Sequence, residues 1–236
     1  MKAIVLAGGK GTRLAPYTKI LPKPLMPIGD MPILEVLLRQ MKCAGIDDVV
    51  ITVGHLAGLL RAFFQDGNKL GLHIDYSLED KPLGTSGPLS LVKGLDETFL
   101  VSNGDVLTTL DLKDLFRFHH KHKATATIAV HCRKVDIDFG VVQCDENNRM
   151  VGYVEKPSIE YMVSMGIYIF EPKVLTYIPY GEYLDLPDLV RKMIAAGEKV
   201  VSYPYKGYWQ DLGRPDDYER AAHDFDSMRK EFFSTC

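Results

Sequence analysis

The sequence is poor in cysteine and contains no long hydrophobic run. Its four cysteines are scattered over 236 residues and form no Cys-x-x-Cys pair, which favours a reduced protein of the cytoplasm. The absence of a long apolar stretch argues against a membrane-spanning helix. The apolar segment at residues 3–7 is too short for the core of a signal peptide, so we expect it to form a buried first strand.

Acidic residues are missing from the first 29 positions, which hold five cationic residues, whereas the whole chain has a net charge of −3. The overall charge argues against a broad nucleic-acid binder. A locally cationic segment in an acidic protein indicates a confined anionic ligand, and the alternative is a chance cluster of solvated lysines. The cationic residues are Lys2, Lys10, Arg13, Lys19 and Lys23.

The hydrophobic pattern changes between the two halves of the chain. In the first half, apolar runs of strand length alternate with segments of helical periodicity, which predicts βαβ units and a mostly parallel sheet covered on both faces. The second half is richer in strands, and no linker or repeat interrupts it. We therefore expect one compact α/β domain. Predicted strands cover 2–6, 49–53, 73–78, 99–102, 125–131, 140–144, 150–155 and 165–170, and predicted helices cover 33–44, 56–64, 85–95, 112–121, 186–196 and 216–229.

A glycine-rich loop directly follows the first strand, at the end of the strand where a parallel sheet binds ligands. Gly8, Gly9 and Gly11 allow backbone amides to approach phosphate oxygens and form a cationic nest. Arg13 adds a planar fork of donors. The P-loop pattern is absent, and Leu14 stands where a dinucleotide fingerprint needs its third glycine. Taken alone, the loop also fits a tight strand-to-helix turn.

A lysine enclosed by two prolines lies ten residues beyond Arg13. Pro22 and Pro24 stiffen the backbone around Lys23. An ammonium group fixed beside a phosphate nest can neutralise the charge that develops on a leaving pyrophosphate. The alternative is a solvated lysine in a proline-rich turn.

Six motifs in a fixed order extend over nearly the whole chain. They are Gly8-Gly9-Lys10-Gly11-Thr12-Arg13 with Pro22-Lys23-Pro24, Leu83-Gly84-Thr85-Ser86-Gly87, Asn103-Gly104-Asp105, Phe139-Gly140-Val141-Val142, Glu155-Lys156-Pro157 and Trp209-Gln210-Asp211-Leu212-Gly213. Together they resemble the sugar-1-phosphate nucleotidyltransferases, or nucleotide-sugar pyrophosphorylases, and among these the bacterial mannose-1-phosphate guanylyltransferase-like enzymes without a C-terminal β-helix. The resemblance implies a Rossmann-like three-layer sandwich with a mostly parallel mixed central sheet. One domain, 1–236, would comprise a nucleotide-binding half at about 1–123 and a strand-rich sugar-binding half at about 124–236.

The resemblance also implies a reaction and the residues that carry it. The chain would transfer a nucleoside monophosphate from a nucleoside triphosphate to a sugar 1-phosphate, releasing pyrophosphate, as a cytoplasmic step of nucleotide-sugar and polysaccharide biosynthesis. Arg13 and Lys23 would hold the triphosphate and support the departing pyrophosphate. Asp105 and Asp211 would bind Mg²⁺, which prefers hard oxygen ligands and keeps several waters. The attacking phosphate is already anionic, so positioning and charge neutralisation would suffice without a general base.

The same resemblance implies two further groups of site residues and the partners of the chain. The partners would be the nucleoside triphosphate and the sugar 1-phosphate, with a homodimer as the expected assembly and neither a nucleic-acid polymer nor a membrane. Lys156 would hold the phosphate of the sugar substrate. The nucleotide-binding residues would be Leu6, Ala7, Gly8, Gly9, Gly11, Thr12, Arg13, Lys23, Glu79, Gly84 and Asn103, and the sugar-phosphate-binding residues Gly140, Glu155, Lys156 and Gly166.

The nucleobase and the sugar rest on few side chains. An ionised carboxylate only accepts hydrogen bonds, so Glu79 suits the two adjacent donors of guanine and favours GTP, with UTP, CTP and dTTP as alternatives. Family members often have asparagine and a small residue where this chain has Ser164 and Met165. Methionine there would add apolar bulk to the pocket. A mannose-like sugar or an aminosugar 1-phosphate is expected, and the sugar itself stays open.

Two other functions compete with the transferase. A glycosyltransferase that consumes a nucleotide sugar should lack the pair of Arg13 and Lys23. A non-catalytic subunit that binds nucleotide sugars could lose these two residues, Asp105 or Asp211 without losing its fold. All four residues are present, which favours the enzyme.

Three other patterns are given structural interpretations. Asp136-Ile137-Asp138 imitates the metal motif of many glycosyltransferases but lies in a charged turn. His119, His120 and His122 have no evident carboxylate partner, so we expect a solvated helix face rather than a zinc site. Trp209 is expected to pack and shape the site rather than to react.

Overall fold

Strands and helices alternate through the first half of the chain, as the hydrophobic pattern predicts. The structure, a computed structural model, describes residues 1–234. Its strands are β1 (Lys2–Ala7), β2 (Pro27–Ile28), β3 (Met31–Pro32), β4 (Asp48–Val53), β5 (His73–Leu78), β6 (Phe99–Asn103), β7 (Val106–Thr108), β8 (Ala126–Asp136), β9 (Val141–Cys144), β10 (Met150–Val154), β11 (Ser158–Phe170), β12 (Val200–Tyr205) and β13 (Trp209–Asp211). Its α-helices are α1 (Ile33–Cys43), α2 (Ala57–Phe64), α3 (Leu112–His122), α4 (Leu186–Ala195) and α5 (Pro215–Phe232).

Seven strands form the central sheet, in the order β12-β8-β11-β6-β1-β4-β5. β11 runs antiparallel to β6 and β8, whereas the other neighbouring pairs are parallel. Consecutive residues of β1 point to opposite faces of the sheet, and Ala3, Ile4 and Val5 are all fully buried. Both faces of the strand are therefore covered, as in other parallel sheets. This confirms the predicted α/β fold with a mostly parallel mixed sheet.

Helices cover both faces of this sheet and make it the middle of three layers. α1, α2 and α3 pack on one face and α4 on the other, while α5 packs with β7 and part of α1 in a third cluster. In α1, Leu34, Leu37 and Met41 recur at helical spacing and are buried. The helix ends before Gly45, whose φ is +82°, and the amide of Ile46 donates to the carbonyl of Met41. Glycine permits this left-handed ending.

Residues 85–95 do not form the predicted α-helix, and this prediction is wrong. Only Gly87–Leu91 coil, as a short 3-10 helix. Pro88 has no amide hydrogen to donate. The amides of Ser86 and Gly87 donate to the carbonyl of Leu184, so a distant segment fixes the backbone in place of helical hydrogen bonds.

The strands of the second half are longer and more numerous than predicted. β8 and β11 pair from Asp136 opposite Ser158 to Ala126 opposite Phe170, although most residues of their outer halves are exposed. Lys134 and Glu160 lie opposite each other in these exposed parts of the strands and form an ion pair at 3.2 Å. β12 lies at an edge of the sheet, where a strand tolerates a proline. Strands β2, β3, β7, β12 and β13 are missing from the sequence prediction.

The cysteines correct one expectation. Cys132 and Cys144 are exposed free thiols, but Cys43 is disulfide-bonded, so the prediction of a reduced chain is wrong at that position. Cys236 lies outside the described residues. Among residues 1–234, no helix combines the length and the apolar character needed to cross a bilayer.

The carboxyl ends of four neighbouring parallel strands meet at one edge of the sheet. Ala7 lies beside Val53, Val53 beside Leu78, and Leu6 beside Asn103. From β1 the chain proceeds to β4 and β5, and then returns to β6 on the other side of β1. Open α/β sheets bind ligands outside the carboxyl ends of their strands where the strand order reverses in this way. The fold therefore places a crevice between β1 and β6.

Candidate active site

The contacts of the loop after β1 explain two of its glycines. A Cβ on Gly8 would lie 2.3 Å from a carboxylate oxygen of Glu79, which a larger residue could not accommodate without a shift. Gly11 has φ +60°, and its carbonyl accepts a hydrogen bond from the hydroxyl of Thr18 at 2.8 Å. A Cβ on Gly9 would meet nothing within 4 Å, so the loop is open to a ligand at that point. The adjoining predicted residues Leu6 and Ala7 end β1, and Thr12 and Arg13 begin a 3-10 turn.

Four charged side chains meet outside β1 and β6. Lys23 is only 8% exposed, yet its ammonium donates to a carboxylate oxygen of Asp105 and lies 3.7 Å from Oδ1 of Asp211. Arg13 completes the cluster, because its guanidinium and Oδ1 of Asp211 lie on the same side of Gly213. A Cβ built on Gly213 would lie 3.0 Å from a guanidinium nitrogen of Arg13 and 3.2 Å from Oδ1 of Asp211. The structure therefore brings together the two cations and the two carboxylates singled out in the sequence.

The surroundings of Asp211 shift the pKa of its carboxyl group upwards. Burial raises the pKa of Asp211 most, the neighbouring Asp105 raises it further, and Lys23 and Arg13 lower it. Loss of water and a nearby like charge both disfavour the ionised form. Additional positive charge at this point would stabilise both carboxylates.

The donor set of the cluster suits a hard divalent cation. Asp105 and Asp211 offer carboxylate oxygens, and residues 1–234 contain no group of three or more His, Cys, Asp or Glu side chains able to hold a metal by themselves. Magnesium is commonly held by one or two carboxylates and completes its shell with water and phosphate oxygens. The two aspartates therefore fit magnesium bound with a phosphate ligand better than a structural zinc site.

Backbone pairing fixes the two aspartates relative to each other. β7 and β13 pair antiparallel, with Val106 opposite Asp211. The amide of Leu212 donates to the carbonyl of Asp105 at 3.2 Å. Both carboxylates thus belong to one short ribbon, and their separation is set before any ligand binds.

Two side chains of β13 tie this ribbon to other elements. Trp209 Nε1 donates to the carbonyl of Met165 in β11 at 3.0 Å, and Gln210 Nε2 donates to Oδ1 of Asp217 in α5 at 2.6 Å. Trp209 packs against the core, as expected. Met165 is 1% exposed and belongs to the same core, so its side chain does not add the expected apolar bulk to a pocket.

Glu79 follows β5 and borders the glycine-rich loop. Its Oε2 accepts the amide of Leu83 at 3.1 Å, while Oε1 faces Gly8. Burial raises the pKa of Glu79, and the hydrogen bond from Leu83 lowers it. Gly84 has φ +76°, and a Cβ there would lie 2.7 Å from the carbonyl of Leu184. Glu79, which is predicted to lie near the base, therefore contacts Gly8, and its hydrogen bond to Leu83 places Gly84 next in the same loop.

The residues predicted to bind the sugar phosphate fall into two separate groups. Gly166 has φ +75°, and a Cβ there would lie 2.5 Å from Nδ2 of Asn103, at the end of β6. Gly140 and Glu155 lie together at the base of the β9–β10 hairpin. A Cβ on Gly140 would lie 2.9 Å from Oε2 of Glu155, which also accepts a hydrogen bond from Tyr153 at 2.9 Å.

Lys156 lies on the same hairpin and is exposed. Its φ is +44°, a left-handed conformation that non-glycine residues seldom adopt. Backbone strain of this kind concentrates at ligand-binding sites. Within residues 1–234, no hydrogen bond or ion pair links this hairpin to Asp105 or Asp211. Gly140, Glu155 and Lys156 thus lie together at the base of the hairpin, whereas Gly166 lies apart from them beside Asn103. No such bond among residues 1–234 connects the hairpin to the two carboxylates.

His119 requires a correction. It is 1% exposed, and its ring nitrogens form hydrogen bonds with Thr127 at 2.8 Å and Glu171 at 2.9 Å. The expectation of a solvated face is therefore wrong for His119, although His120 is exposed. Burial lowers the pKa of His119 against the opposing effect of Glu171. Its carboxylate partner lies 52 residues away, so no local pattern reveals the pair.

Two residues that sequence reasoning missed support the predicted loops. Thr18 anchors Gly11, as described above, from within the same cationic segment. Asp185 accepts the amide and the hydroxyl of Thr85 at 3.1 and 3.2 Å. Its position directly before a predicted helix suits an N-cap, but the contact with Thr85 has no local signal.

Comparisons with known sequences agree on the family. The family model described as nucleotidyl transferase matches residues 2–227. The chain is 37% identical, over 94% of its length, to a UTP–glucose-1-phosphate uridylyltransferase from Synechocystis sp.. It is also 37% identical, over 94% of its length, to a mannose-1-phosphate guanylyltransferase from Mycobacterium tuberculosis. The chain spans 62% and 64% of the lengths of these two relatives.

Solved structures share the fold over nearly the whole chain. A protein from Bacillus anthracis, named as a candidate glucose-1-phosphate thymidylyltransferase, has a TM-score of 0.75 at 28% identity and covers 94% of each chain. HddC from Yersinia pseudotuberculosis has a TM-score of 0.73 at 25% identity and covers 95% of this chain and 99% of its own. Because the family model matches nearly the whole chain, the chain belongs to the nucleotidyl transferase family.

Proposed function

We propose that the chain transfers a nucleoside monophosphate from a nucleoside triphosphate to a sugar 1-phosphate, with magnesium, and releases pyrophosphate. The observation that carries this proposal is the convergence of Arg13, Lys23, Asp105 and Asp211 at the crevice between β1 and β6. Transfer between phosphates depends mainly on positioning and on charge neutralisation. The names of the two relatives, which act on sugar 1-phosphates, support the same reaction.

The proposed reaction exchanges one phosphoanhydride bond for another. An oxygen of the sugar phosphate forms a bond to the α-phosphorus while the bond from that phosphorus to the pyrophosphate oxygen breaks. The attacking oxygen is already ionised, so no proton has to be removed. Magnesium, when bound by Asp105 and Asp211, would supply positive charge against the phosphate oxygens.

Lys23 and Arg13 occupy different environments and suit different tasks. Lys23 is buried between the two aspartates, where a fixed ammonium offsets their mutual repulsion and adds positive charge beside the reacting phosphates. Arg13 is exposed at the mouth of the cluster. Its planar guanidinium can bind two oxygens of a leaving pyrophosphate at once.

We favour GTP and a mannose-like or aminosugar 1-phosphate. Glu79 has Oε1 beside Gly8, while Oε2 accepts the amide of Leu83, and the two oxygens of a carboxylate can accept the two adjacent donors of guanine. Uracil and thymine present a donor between two acceptors, which suits a carboxylate less well. The guanylyltransferase from M. tuberculosis supports GTP, whereas the Synechocystis relative is a uridylyltransferase, so UTP, CTP and dTTP are the alternatives.

A substrate matrix tests this proposal. Pyrophosphate release is measured with magnesium, each of the four nucleoside triphosphates and a panel of sugar 1-phosphates. We expect release that depends on the sugar phosphate and is concentrated in one column of the matrix, which also identifies the base and the sugar. Silence throughout, from folded protein that still binds a nucleotide sugar, would contradict the proposal and support a non-catalytic subunit.

The assembly and the location of the protein stay predictions. We propose a homodimer in the cytoplasm, with small-molecule substrates as the other partners. Light scattering coupled to gel filtration measures the mass in solution, and a monomeric mass at micromolar concentration would contradict the dimer.

A further inference from the structure

The loop of residues 83–87 is fastened to the segment that precedes α4. The carbonyl of Leu184 accepts the amides of Ser86 and Gly87 at 2.9 and 3.0 Å and the hydroxyl of Ser86 at 2.9 Å. In return, the amide of Leu184 donates to the carbonyl of Leu83 at 2.9 Å. The position of the loop is therefore set by residues almost 100 positions later in the chain, since Ser86 and Leu184 are 98 residues apart.

Asp185 supplies the side-chain part of this attachment. Its Oδ1 accepts both the amide and the hydroxyl of Thr85, at 3.1 and 3.2 Å. The hydroxyl of Thr85 in turn accepts the amide of Leu186 at 2.7 Å. The other carboxylate oxygen, Oδ2, accepts the hydroxyl of Tyr183 at 2.7 Å. Both oxygens of Asp185 are thus engaged, and one of them holds the loop.

This use of Asp185 departs from the usual role of an aspartate at its position. Asp185 is the N-cap of α4, where an aspartate side chain normally accepts an amide of its own helix. Its carboxylate forms no such bond here. Thr85 provides the oxygen for Leu186 instead. The carboxylate of Asp185 therefore binds the loop, and the loop in turn supplies the acceptor for the first amide of α4.

Glu79 holds the other end of the same loop. Its Oε2 accepts the amide of Leu83 at 3.1 Å. On the side of Asp185 there is no space, because a Cβ on Gly84 would lie 2.8 Å from Oδ1 of Asp185 and 2.7 Å from the carbonyl of Leu184. A ligand cannot approach Gly84 from the side of Asp185, whereas the opposite end of the loop lies at Glu79 and the glycine-rich loop.

We infer that Asp185 is a positioning residue for the nucleobase. It holds the loop of residues 83–87 at a fixed distance from Glu79, and so controls nucleotide affinity and base selectivity without touching the nucleotide. This inference rests on the proposed nucleotidyl transfer. Asp185 acts on the loop that is proposed to contact the nucleobase and not on the cluster of Arg13, Lys23 and the two aspartates. Its loss therefore raises the KM for the nucleotide and leaves the KM for the sugar phosphate unchanged.

Three variants separate this role from general stability. Asp185→Ala removes the two hydrogen bonds from Thr85 and the one from Tyr183. We expect the nucleotide KM to rise about tenfold, since the displaced loop weakens base binding by about the strength of one charge-assisted hydrogen bond. The preference for the best triphosphate over the next should fall at the same time. Asp185→Asn keeps an acceptor for Thr85 and should restore most of the affinity. Tyr183→Phe removes only the other contact and serves as the matched control, with an unchanged nucleotide KM.

The readouts are the two KM values, kcat, selectivity among the four triphosphates and the melting temperature. An Asp185→Ala variant that melts earlier but keeps its nucleotide KM and selectivity, or that raises both KM values equally, would overturn the inference. If this variant does not fold, Thr85→Val, which loses only the hydroxyl, is measured in its place and should show a smaller change in the same direction. Calorimetric binding of GTP to wild type and variant tests Asp185 even where wild type releases no pyrophosphate, so failure of the reaction and failure of the inference are distinguishable.

Discussion

The proposed site has a phosphate side and a sugar side, and the rest of the fold makes more contacts with the phosphate side. On the phosphate side, Lys23 is buried between Asp105 and Asp211, and the carboxylates lie on paired strands that are tied to β11 and α5. On the sugar side, Glu155 and Lys156 lie at the end of a hairpin that forms a two-stranded sheet of its own. This hairpin leaves apolar side chains in water, and Phe139 at its base is 76% exposed.

The contrast indicates which side is ready to bind. A two-stranded hairpin is marginally stable by itself in water, so its final geometry depends on what it contacts. The phosphate side has its charges in place before any ligand arrives, which lowers the cost of ordering them on binding. We therefore expect the triphosphate to bind without sugar phosphate, and the sugar phosphate to bind well only afterwards.

The largest expected effect comes from the carboxylates of the ordered side. Asp105→Asn or Asp211→Asn should lower kcat by about a thousandfold or more, because a cation held as proposed would lose one of its two protein ligands. Pyrophosphate release under saturating magnesium measures the change. The matched control is Asp136→Asn, which alters the discounted carboxylate in the charged turn and should retain activity. A fully active Asp105→Asn variant with a normal melting curve would remove Asp105 from the metal site.

The next effect belongs to the hairpin. Lys156→Ala should raise the KM for sugar phosphate about tenfold, as expected when a charged group loses its phosphate partner. The nucleotide KM should stay within about twofold of wild type, because no described contact joins Lys156 to the phosphate cluster. Lys192→Ala, at an exposed lysine of α4, is the control. A rise confined to the nucleotide KM would show that Lys156 is wrongly assigned.

How much of this could be read from the sequence depends on the distance between partners along the chain. The glycine-rich loop with Arg13 is predictable because the ends of strands in a parallel sheet carry ligand-binding loops, whereas a metal role for Asp105 is implied only by the resemblance of Asn103-Gly104-Asp105 to a family motif. The bonds of Thr85 to Asp185 and of His119 to Glu171 join residues 100 and 52 positions apart. They follow from tertiary packing and leave no local pattern.

The fold shows the same division between local and tertiary causes. Strands β1 and β4 agree with the prediction because they are nearly continuous apolar runs that are mostly buried. Strands β2, β3 and β7 contain only two or three residues each, too few to show a pattern. The helix at 85–95 was wrongly predicted because helical spacing was present, whereas the hydrogen bonds to Leu184 decide the backbone. The prediction missed the outer half of β11, although Ile159, Tyr161 and Val163 recur at every second position, and most residues of this half are exposed to water.

A smaller effect tests how the ordered side is maintained. Trp209→Phe keeps an aromatic ring at this position and removes the indole N–H that donates to the carbonyl of Met165. We expect the magnesium concentration for half-maximal activity to rise about fivefold, the effect of one lost hydrogen bond acting through Asp211. A magnesium titration at saturating substrates measures it. An unchanged titration would show that β7 pairing alone positions Asp211.

The smallest effect on activity is expected at His119, which belongs to neither side of the site. Burial lowers its pKa in the folded state, so the unfolded chain binds the proton more readily, and the free energy of unfolding should fall as the pH drops below about 6.5. His119→Gln should flatten this pH dependence, while the exposed control His120→Gln should not. Denaturant melts between pH 5 and 8 measure both. An unchanged slope in His119→Gln would assign the pH dependence to other groups.

The most direct test of the central claim follows the α-phosphorus itself. GTP labelled at the α-phosphate is incubated with mannose 1-phosphate, magnesium and either wild type or Asp211→Asn, and the products are separated. We expect the label to appear in a nucleotide sugar, with one pyrophosphate formed per label transferred, and both products to be lost in the variant. If other triphosphates and sugar phosphates give the same result, the reaction stands with a different base or sugar. Label that stays in GTP or appears only in free GMP for every pair, from folded wild type, would contradict nucleotidyl transfer at the Asp105–Asp211 cluster.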